Sequence, residues 1–444
     1  MTASTPETTR PPSTVKVALL GAGNVGAEVA RTLLDHGPEF AARVGAPVEL
    51  IGIAVRDLAA RRTVELPEEL LTTDAEALVD AADVVIELTG GIEPARSRIL
   101  RALHAGKPVI SGNKALIARH GRQLQDAADA AGVPLSYEAA VAGAIPIVRP
   151  MQDSLAGDRV DRVLGIMNGT TNYILDQMDT TGAQFDDALA EAQKLGYAEA
   201  DPTADVGGLD AAAKAAILAT LAFGAPYTLD QVAVSGITAI TAEDNEAAAD
   251  AGYVIKLLAI AERARAADSA EGAVLRVHPT LLPREHPLAS VRGAFNAVFV
   301  EAENAGELMF YGPGAGGAPT ASAVMGDVVS IAQRIVRGGP ARLRTPVAEL
   351  PALDPAEAVT SCLVVLRVAD EPGVLRRVAG VFEEQGVSIE TLRQVQSDRD
   401  DAPGASLRLI THRARQRDLD ATVEALAALD AVHEVASVLR VEGN

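Results

Sequence analysis

Residues 15–36 read VKVALLGAGNVGAEVARTLLDH. Val15–Leu20 is a short apolar run. Gly21-Ala22-Gly23-Asn24-Val25-Gly26 comes directly after it, and a helix-like stretch comes next. The order strand, G-x-G-x-x-G, helix is the arrangement that holds a dinucleotide pyrophosphate. Gly21 permits the tight turn, Gly23 lets the backbone approach the phosphates, and Gly26 lets the helix pack close to the strand. The helix N-terminus adds N–H groups and a partial positive charge. A plain strand–turn–helix would use the same glycines, so the motif takes its weight from the strands and helices downstream of it.

Apolar segments recur at 48–55 (VELIGIAV), 84–88 (VVIEL) and 108–111 (PVIS), with helical stretches between them. Alternating β and α predicts a parallel, doubly wound sheet. Ligands of such sheets sit at the carboxyl ends of the strands, which places Arg56, Thr89-Gly90-Gly91 and Asn113-Lys114 on one rim. Past the second strand a carboxylate would bind the ribose hydroxyls of NAD, and an arginine the 2′-phosphate of NADP. Here Val55-Arg56-Asp57 puts the arginine first. The reading favours NADP and keeps NAD open.

The totals exclude several classes. A chain of 444 residues calls for two or three domains. Its net charge of −21 and its lack of tryptophan argue against nucleic acid and anionic membranes as partners. The Ser/Thr/Pro-rich start, residues 1–14, lacks a signal-peptide core and reads as a disordered tail. Cys362, the single cysteine, rules out an internal disulfide and fits a reducing cytoplasm. It reads as a small buried hydrophobe on a strand.

The stretch LGYAEADPTADVGGLDAAAK, residues 195–214, is where chemistry concentrates. Glu199, Asp201, Asp205, Asp210 and Lys214 stand among small and apolar residues. Such a set suits a pocket that holds a charged small molecule and moves a proton. The plainer alternative is an acidic loop followed by a helix with an i,i+4 Asp–Lys pair. Asp201 precedes Pro202 and reads as a turn residue. His278 and His286 have no metal-ligand spacing and receive no role.

Seven motifs stand in order along the chain: GAGNVG, ELTGG, SGNKAL, YEAAVAGAIPI, NGTTNYIL, LGYAEADPTADVGGLDAAAK and YGPGAGGAPTASAVMGD. With them the chain resembles the homoserine dehydrogenases from about Val15 to Arg337. The resemblance implies NAD(P)-linked interconversion of L-homoserine and L-aspartate 4-semialdehyde, on the route to threonine, methionine and isoleucine. It implies Lys214 as general acid/base, with Asp210 beside it. Burial and Asp210 act on the lysine in opposite directions, and a protonated Lys214 would still serve as the acid in reduction. Glu199 and Asp210 match the acids that bind the substrate ammonium, with Asp205 in support. Lys114 would aid proton transfer or hold the substrate carboxylate. Gly196 and Gly316 join Gly21, Gly23, Asn24, Val25, Gly26, Arg56, Thr89, Gly90 and Lys114 as cofactor residues. The loop opened by Glu138 would bind a monovalent cation such as Na+ through the carbonyls of Val141, Gly143 and Ile145. The NGTTNY turn could equally cap a helix through Thr170 or Thr171.

Residues 338–360 read as a Pro/Ala/Gly-rich linker. Beyond them the order βαββαβ predicts a ferredoxin-like fold. With its D-E-P-G-V-L turn (370–375) this segment resembles an ACT domain, which implies an amino-acid effector. L-Threonine is the natural one, with contacts at Gly373, Val374 and Gly386; a ligand-free dimerisation module is the alternative.

The expected α/β architecture is therefore a Rossmann-type domain at 15–148 and a central α+β catalytic and dimerisation domain at 149–337. The last helix of the latter packs back on the former, and a C-terminal ACT domain completes the chain at 361–444. The glycine motif stands almost at the start, so a monofunctional, homodimeric or homotetrameric enzyme is expected. Two other functions stay open: a different two-domain NAD(P) oxidoreductase, and a non-catalytic amino-acid sensor.

Overall fold

In the computed structural model, which describes residues 13–338, 348–396 and 404–443, the chain divides into two compact units. The first comprises residues 1–156 and 312–347, the second 157–311 and 348–444. Most of the expected N-terminal tail, and linker residues 339–347, lie outside the described residues.

The first unit is built on six parallel strands. These are β1 (Val15–Leu20), β2 (Val48–Ala54), β3 (Leu71–Thr72), β4 (Val84–Glu87), β5 (Val109–Ser111) and β6 (Leu135–Ser136). Their spatial order is β3-β2-β1-β4-β5-β6. Helices α1 (Asn24–Asp35), α2 (Gly37–Val44), α3 (Ala75–Ala81), α4 (Ala95–His104) and α5 (Lys114–Ala131) connect them. The order reverses beside β1, whose carboxyl end carries the glycine turn, which is where such sheets bind ligands. Val17, Leu19, Ile53, Val84 and Ile86 form the buried face against α1.

The second unit opens with β7 (Val160–Ile166), α6 (Gly169–Thr181), α7 (Phe185–Lys194), α8 (Thr203–Val206) and α9 (Leu209–Phe223). It continues through β8 (Ala233–Val234), α10 (Ala242–Asp250), β9 (Tyr253–Arg265), β10 (Glu271–Pro283), β11 (Phe295–Ala302) and β12 (Gly306–Pro313). The strongly apolar β9 is not among the expected strands, because a continuous apolar run does not distinguish a strand from a buried helix. The chain then returns to the first unit with α11 (Gly317–Arg337). Its Ala321, Val324, Val328 and Ile331 join the core under β1 and α1. That helix is grouped with the nucleotide sheet rather than with the residues preceding it in sequence.

The C-terminal module keeps closely to the expected order. It has β13 (Val359–Val368), α12 (Val374–Gln385), β14 (Ile389–Gln396), β15 (Ala405–Thr411), β16 (Ala414–Arg415), α13 (Gln416–Ala427) and β17 (Val432–Val441). Cys362 is buried on β13, and burial pushes its thiol up to about 11. This module does not have a separate sheet. β17 pairs in parallel with β10 at Thr280↔Arg440 and Leu281↔Val441. One sheet thus runs β12-β11-β7-β9-β10-β17-β13-β15-β14. A buried ion cluster marks the seam: Arg276 bonds both Glu262 and, at 2.8 Å, Glu442, while Arg162 bonds Glu442 and lies 3.0 Å from Glu262.

Candidate active site

The glycine turn has the steric character its spacing demands. Gly21 has φ +99°, and a Cβ at Gly26 would lie 2.0 Å from the Gly21 carbonyl oxygen. The helix can therefore approach its strand only without a side chain there. Nothing lies within 4 Å of where a Gly23 Cβ would stand, and no side chain caps α1, whose first residues are Asn24 and Val25. Gly316 is brought to the same place, since a Cβ on the next residue, Gly317, would sit 3.0 Å from the Asn24 carbonyl oxygen.

Around the rim, Glu87 ends β4 fully buried. It accepts bonds from Thr89 N (2.8 Å), Thr89 Oγ1 (2.6 Å) and Ser111 Oγ (2.9 Å). Asn113 caps α5 by accepting from Leu116 N and ties the rim loop down by donating to the Gly91 carbonyl. Thr89-Gly90-Gly91 and Lys114, the first residue of α5, are thus held by one polar network. Glu87 is absent from the expected site residues; its signal is a carboxylate closing an otherwise apolar strand. Arg56 is exposed just past β2. Nearby, Arg62 is engaged by the carbonyls of Asp57 and Ala60, and the Asp57 carboxylate by Ala59 N.

In the second unit, the acidic window folds onto the Asn168 turn. α9 is an alanine-rich helix buried on nearly every side, a composition of high helix propensity, and Asp210 and Lys214 face inward on it. Both are over nine-tenths buried. Lys214 Nζ donates to Asp210 Oδ2 (2.9 Å) and to the Met167 carbonyl (2.6 Å). Asn168 Nδ2 donates to Asp210 Oδ2 (2.9 Å) and to Asp205 Oδ1 (2.7 Å). Thr170 Oγ1 donates to the Tyr197 carbonyl at 2.5 Å. An ammonium has three N–H donors, and two acceptors among the described residues engage this one, so one donor remains for a substrate oxygen. The buried Asp210 and the half-buried Asp205 set carboxylate oxygens beside it that suit a substrate cation.

Among the described residues, Glu199, Gly196 and Asp201 make no side-chain bond to this network. Glu199 is exposed on the turn after α7, its carbonyl accepting from Gln193 Nε2 at 3.2 Å. Gly196 lies in the same exposed turn with φ +78°. Asp201 accepts from Thr203 N and Oγ1. The cap of α6 is Asn168, which accepts from Thr171 N at 2.9 Å, rather than Thr170 or Thr171. Asn168 outranks them because a side chain one residue before the helix reaches its third N–H. Nothing in the local pattern singles this asparagine out, yet it links cap and acids.

The Glu138 loop is anchored inside the first unit. Glu138 accepts from Ile147 N (2.6 Å), Val148 N (2.7 Å), Arg149 N (2.9 Å) and Arg149 Nε (2.9 Å), while its own N–H donates to Asp327. That carboxylate accepts four protein donors and braces the loop. Ala142 and Gly143 turn with positive φ, and the buried carbonyls of Val141, Gly143 and Ile145 lie on this turn. Neutral, hard oxygens of this kind suit a monovalent cation. Among the described residues no three His, Cys, Asp or Glu side chains are grouped to hold a metal.

In the C-terminal module Gly373 and Gly386 flank the two ends of α12, with Val374 buried in its first turn. Twelve residues of helix span about 18 Å. Within one chain a small effector does not touch both ends, so these expected contacts do not form one site.

Three family models match in chain order. They are the NAD binding domain of homoserine dehydrogenase over residues 21–138, homoserine dehydrogenase over 146–329, and the ACT domain over 363–431. The homoserine dehydrogenase of Corynebacterium glutamicum is 54% identical over 434 residues, covering 97% of this chain and 96% of that one. The chain belongs to the homoserine dehydrogenase family. Homoserine dehydrogenases are oxidoreductases, and the nucleotide turn and the buried lysine are parts such chemistry needs. Among solved structures, the homoserine dehydrogenase from Thiobacillus denitrificans matches with a TM-score of 0.87 and 37% identity, covering 98% of this chain and 99% of that one. A hyperthermophilic archaeal homoserine dehydrogenase in complex with NADPH matches with a TM-score of 0.59 and 25% identity, covering 72% and 97%. Among the described residues no helix is long and apolar enough to cross a membrane.

Proposed function

We propose that this chain interconverts L-homoserine and L-aspartate 4-semialdehyde with NADP in preference to NAD. The observation that carries the reading is the buried Asn168–Asp210–Lys214 network. The Gly21–Gly26 turn would hold a nicotinamide cofactor, which when bound would supply the hydride chemistry. Lys214 gives a proton to the aldehyde oxygen during reduction and takes it from the homoserine hydroxyl during oxidation. Asp210 orients that ammonium and, with Glu199 and Asp205, attracts the substrate's own ammonium. Lys114 is the first unit's candidate for proton transfer or carboxylate binding. Arg56 supports the NADP preference, as does the archaeal relative's complex with NADPH.

A monovalent cation at Val141, Gly143 and Ile145 would neutralise the carbonyl dipoles of the Glu138 loop and stiffen it. The ACT module supports control by an amino acid, L-threonine first, in a cytoplasmic biosynthetic setting. Outer-edge strands β12 and β14 and the exposed, stacked Phe295–Tyr311 pair favour a homodimer or homotetramer.

The test follows nicotinamide absorbance with L-homoserine and either NADP or NAD, with and without L-threonine. Lys214→Ala is expected to lower kcat by about 10²–10⁴-fold, the range for losing a general acid/base. Full activity in a folded Lys214→Ala protein would overturn the assignment.

A further inference from the structure

Asn296 is the second residue of β11 and is 1% exposed. Its Oδ1 and Nδ2 are both buried without a hydrogen-bond partner among the described residues. A buried, unpaired carboxamide destabilises a fold and calls for a partner from outside the chain. For packing alone, leucine has nearly the same shape and no polar atom to satisfy.

The sheet register fixes the face on which this side chain stands. Val277 pairs with Ala259, Ala259 with Gly165, and Gly165 with Val298. Paired residues share one face of a sheet, as do residues two apart on a strand. Asn296 therefore lies on the Val277 face, opposite the core that contains Leu164, Ile166, Leu258, Ala297 and Phe299. The start of α9 lies against the Val277 face, since a Cβ on Gly208, its N-cap, would be 3.3 Å from Val277 Cγ1. Ala297 pairs with Ile166, so Asn296 and Met167, one step further on, are neighbours across the ladder. Such neighbours have Cβ atoms about 5 Å apart. The Met167 carbonyl is the one that Lys214 Nζ reaches at 2.6 Å. A Cβ on Gly165 would lie 2.0 Å from Met167 Cε, so the methionine side chain turns back along β7, away from this end of the strand.

The start of β11 is also tied to the helix that carries Asn168. Asn172 Nδ2 donates to the carbonyls of Gly293 (2.8 Å) and Phe295 (3.3 Å). A Cβ on Gly169 would lie 2.6 Å from the Ala294 carbonyl oxygen. The Asn296 carboxamide and the Asn168–Asp210–Lys214 network are thus placed by one junction of β7, α6 and β11.

A carboxamide sets N–H donors beside a carbonyl acceptor. Its complement is an anionic acceptor next to an N–H donor, which is the 2-amino carboxylate end of an amino acid. We propose that Asn296 is a substrate-binding residue, its Nδ2 donating to the carboxylate of homoserine and its Oδ1 accepting from the ammonium. The proposal rests on the dehydrogenase reading of this site and names a group that recognises the amino-acid end of its substrate. A site built to hydrogen-bond that end selects against alcohols that lack it.

Steady-state kinetics and thermal unfolding of Asn296→Leu and Asn296→Ala in the full chain test it. Both are expected to raise the KM for L-homoserine at least tenfold, with kcat and the KM for NADP within threefold. L-2-Aminobutanoate keeps the amino-acid end and lacks the hydroxyl, so its inhibition should weaken by the same factor. The unfolding midpoint of Asn296→Leu should hold or rise, because an unpaired buried amide has been removed. An unchanged homoserine KM in either folded variant overturns the proposal, as does a loss confined to kcat or to the cofactor KM. A midpoint that falls in Asn296→Leu while its KM stays put assigns the residue to packing and overturns it too. Turnover by the unaltered chain is measured first. Its absence defeats the dehydrogenase reading and this proposal with it, whereas turnover with an unmoved KM in the variants defeats this proposal alone.

Discussion

The side-chain amide of Asn168 holds the Asp210 carboxylate at 2.9 Å across 42 residues of sequence. The same residue caps α6 through its Oδ1. One side chain therefore fixes a helix start and orients the carboxylate that faces Lys214. Asn168→Ala is expected to cost about 1 kcal/mol through the cap alone. It should also lower kcat for homoserine by more than that stability loss explains. Asn168→Asp restores the cap but sets a carboxylate against Asp205 and Asp210, so its stability should recover while its activity stays low. Thermal unfolding and initial rates on both variants check this.

Arg56 should carry cofactor choice. Arg56→Ala is expected to raise the KM for NADP about tenfold, the equivalent of about 1.4 kcal/mol, and to leave that for NAD within twofold. Equal losses with both cofactors would assign Arg56 to the loop rather than to the 2′-phosphate. Paired KM measurements decide it.

Gly26 tolerates no side chain, because a Cβ there would sit 2.0 Å from the Gly21 carbonyl oxygen. Gly26→Ala must push α1 away from β1 or distort the turn. Cofactor affinity is expected to fall at least tenfold by fluorescence titration. The unfolding midpoint should fall with it, as α1 loses its packing on Val17 and Leu19.

Stability in acid should report on Glu442. Burial alone would raise its carboxyl, but attraction from Arg162 and Arg276 overcomes this and brings it down to about 2. A carboxyl that titrates lower folded than unfolded contributes stability above the unfolded value, about 4.3, and loses it as pH falls toward 2. Glu442→Gln is expected to cost about 3–5 kcal/mol near neutrality, since it leaves two buried guanidinium groups short of a carboxylate. The gap between the two proteins should narrow below about pH 4.3. Unfolding midpoints at pH 7, 5 and 3 give the comparison.

Much of this fold is legible in the sequence, because local chemistry and tertiary structure agree there. The glycine turn after VKVALL and the β and α segments of the C-terminal module need little beyond periodicity. β9 is not legible: Tyr253–Arg265 is apolar enough to pass for a buried helix, with Lys256 fully buried in its midst. Asn172 and the Val291 carbonyl satisfy that lysine, and both are remote in sequence. The candidate site is half legible. Asp210 and Lys214 are four apart on one helix, so spacing alone brings them together. Asn168 joins them only through tertiary folding. Glu199 shares their window in sequence yet is exposed on a different turn, since nearness along a chain does not fix direction across a loop.

The parallel pairing of β10 with β17 makes the C-terminal module part of the enzyme's own sheet rather than an attachment to it. Removing the module before Val359 would not simply release a catalytic core from control. It would bare backbone donors and acceptors along β10 near Thr280–Leu281 and take Glu442 from both Arg162 and Arg276, leaving Glu262 and the more distant Glu301 as their partners. A raw strand edge beside a broken ion cluster is an invitation to aggregate. A shortened chain would therefore confuse loss of solubility with loss of regulation, and single substitutions at the seam are the cleaner tool.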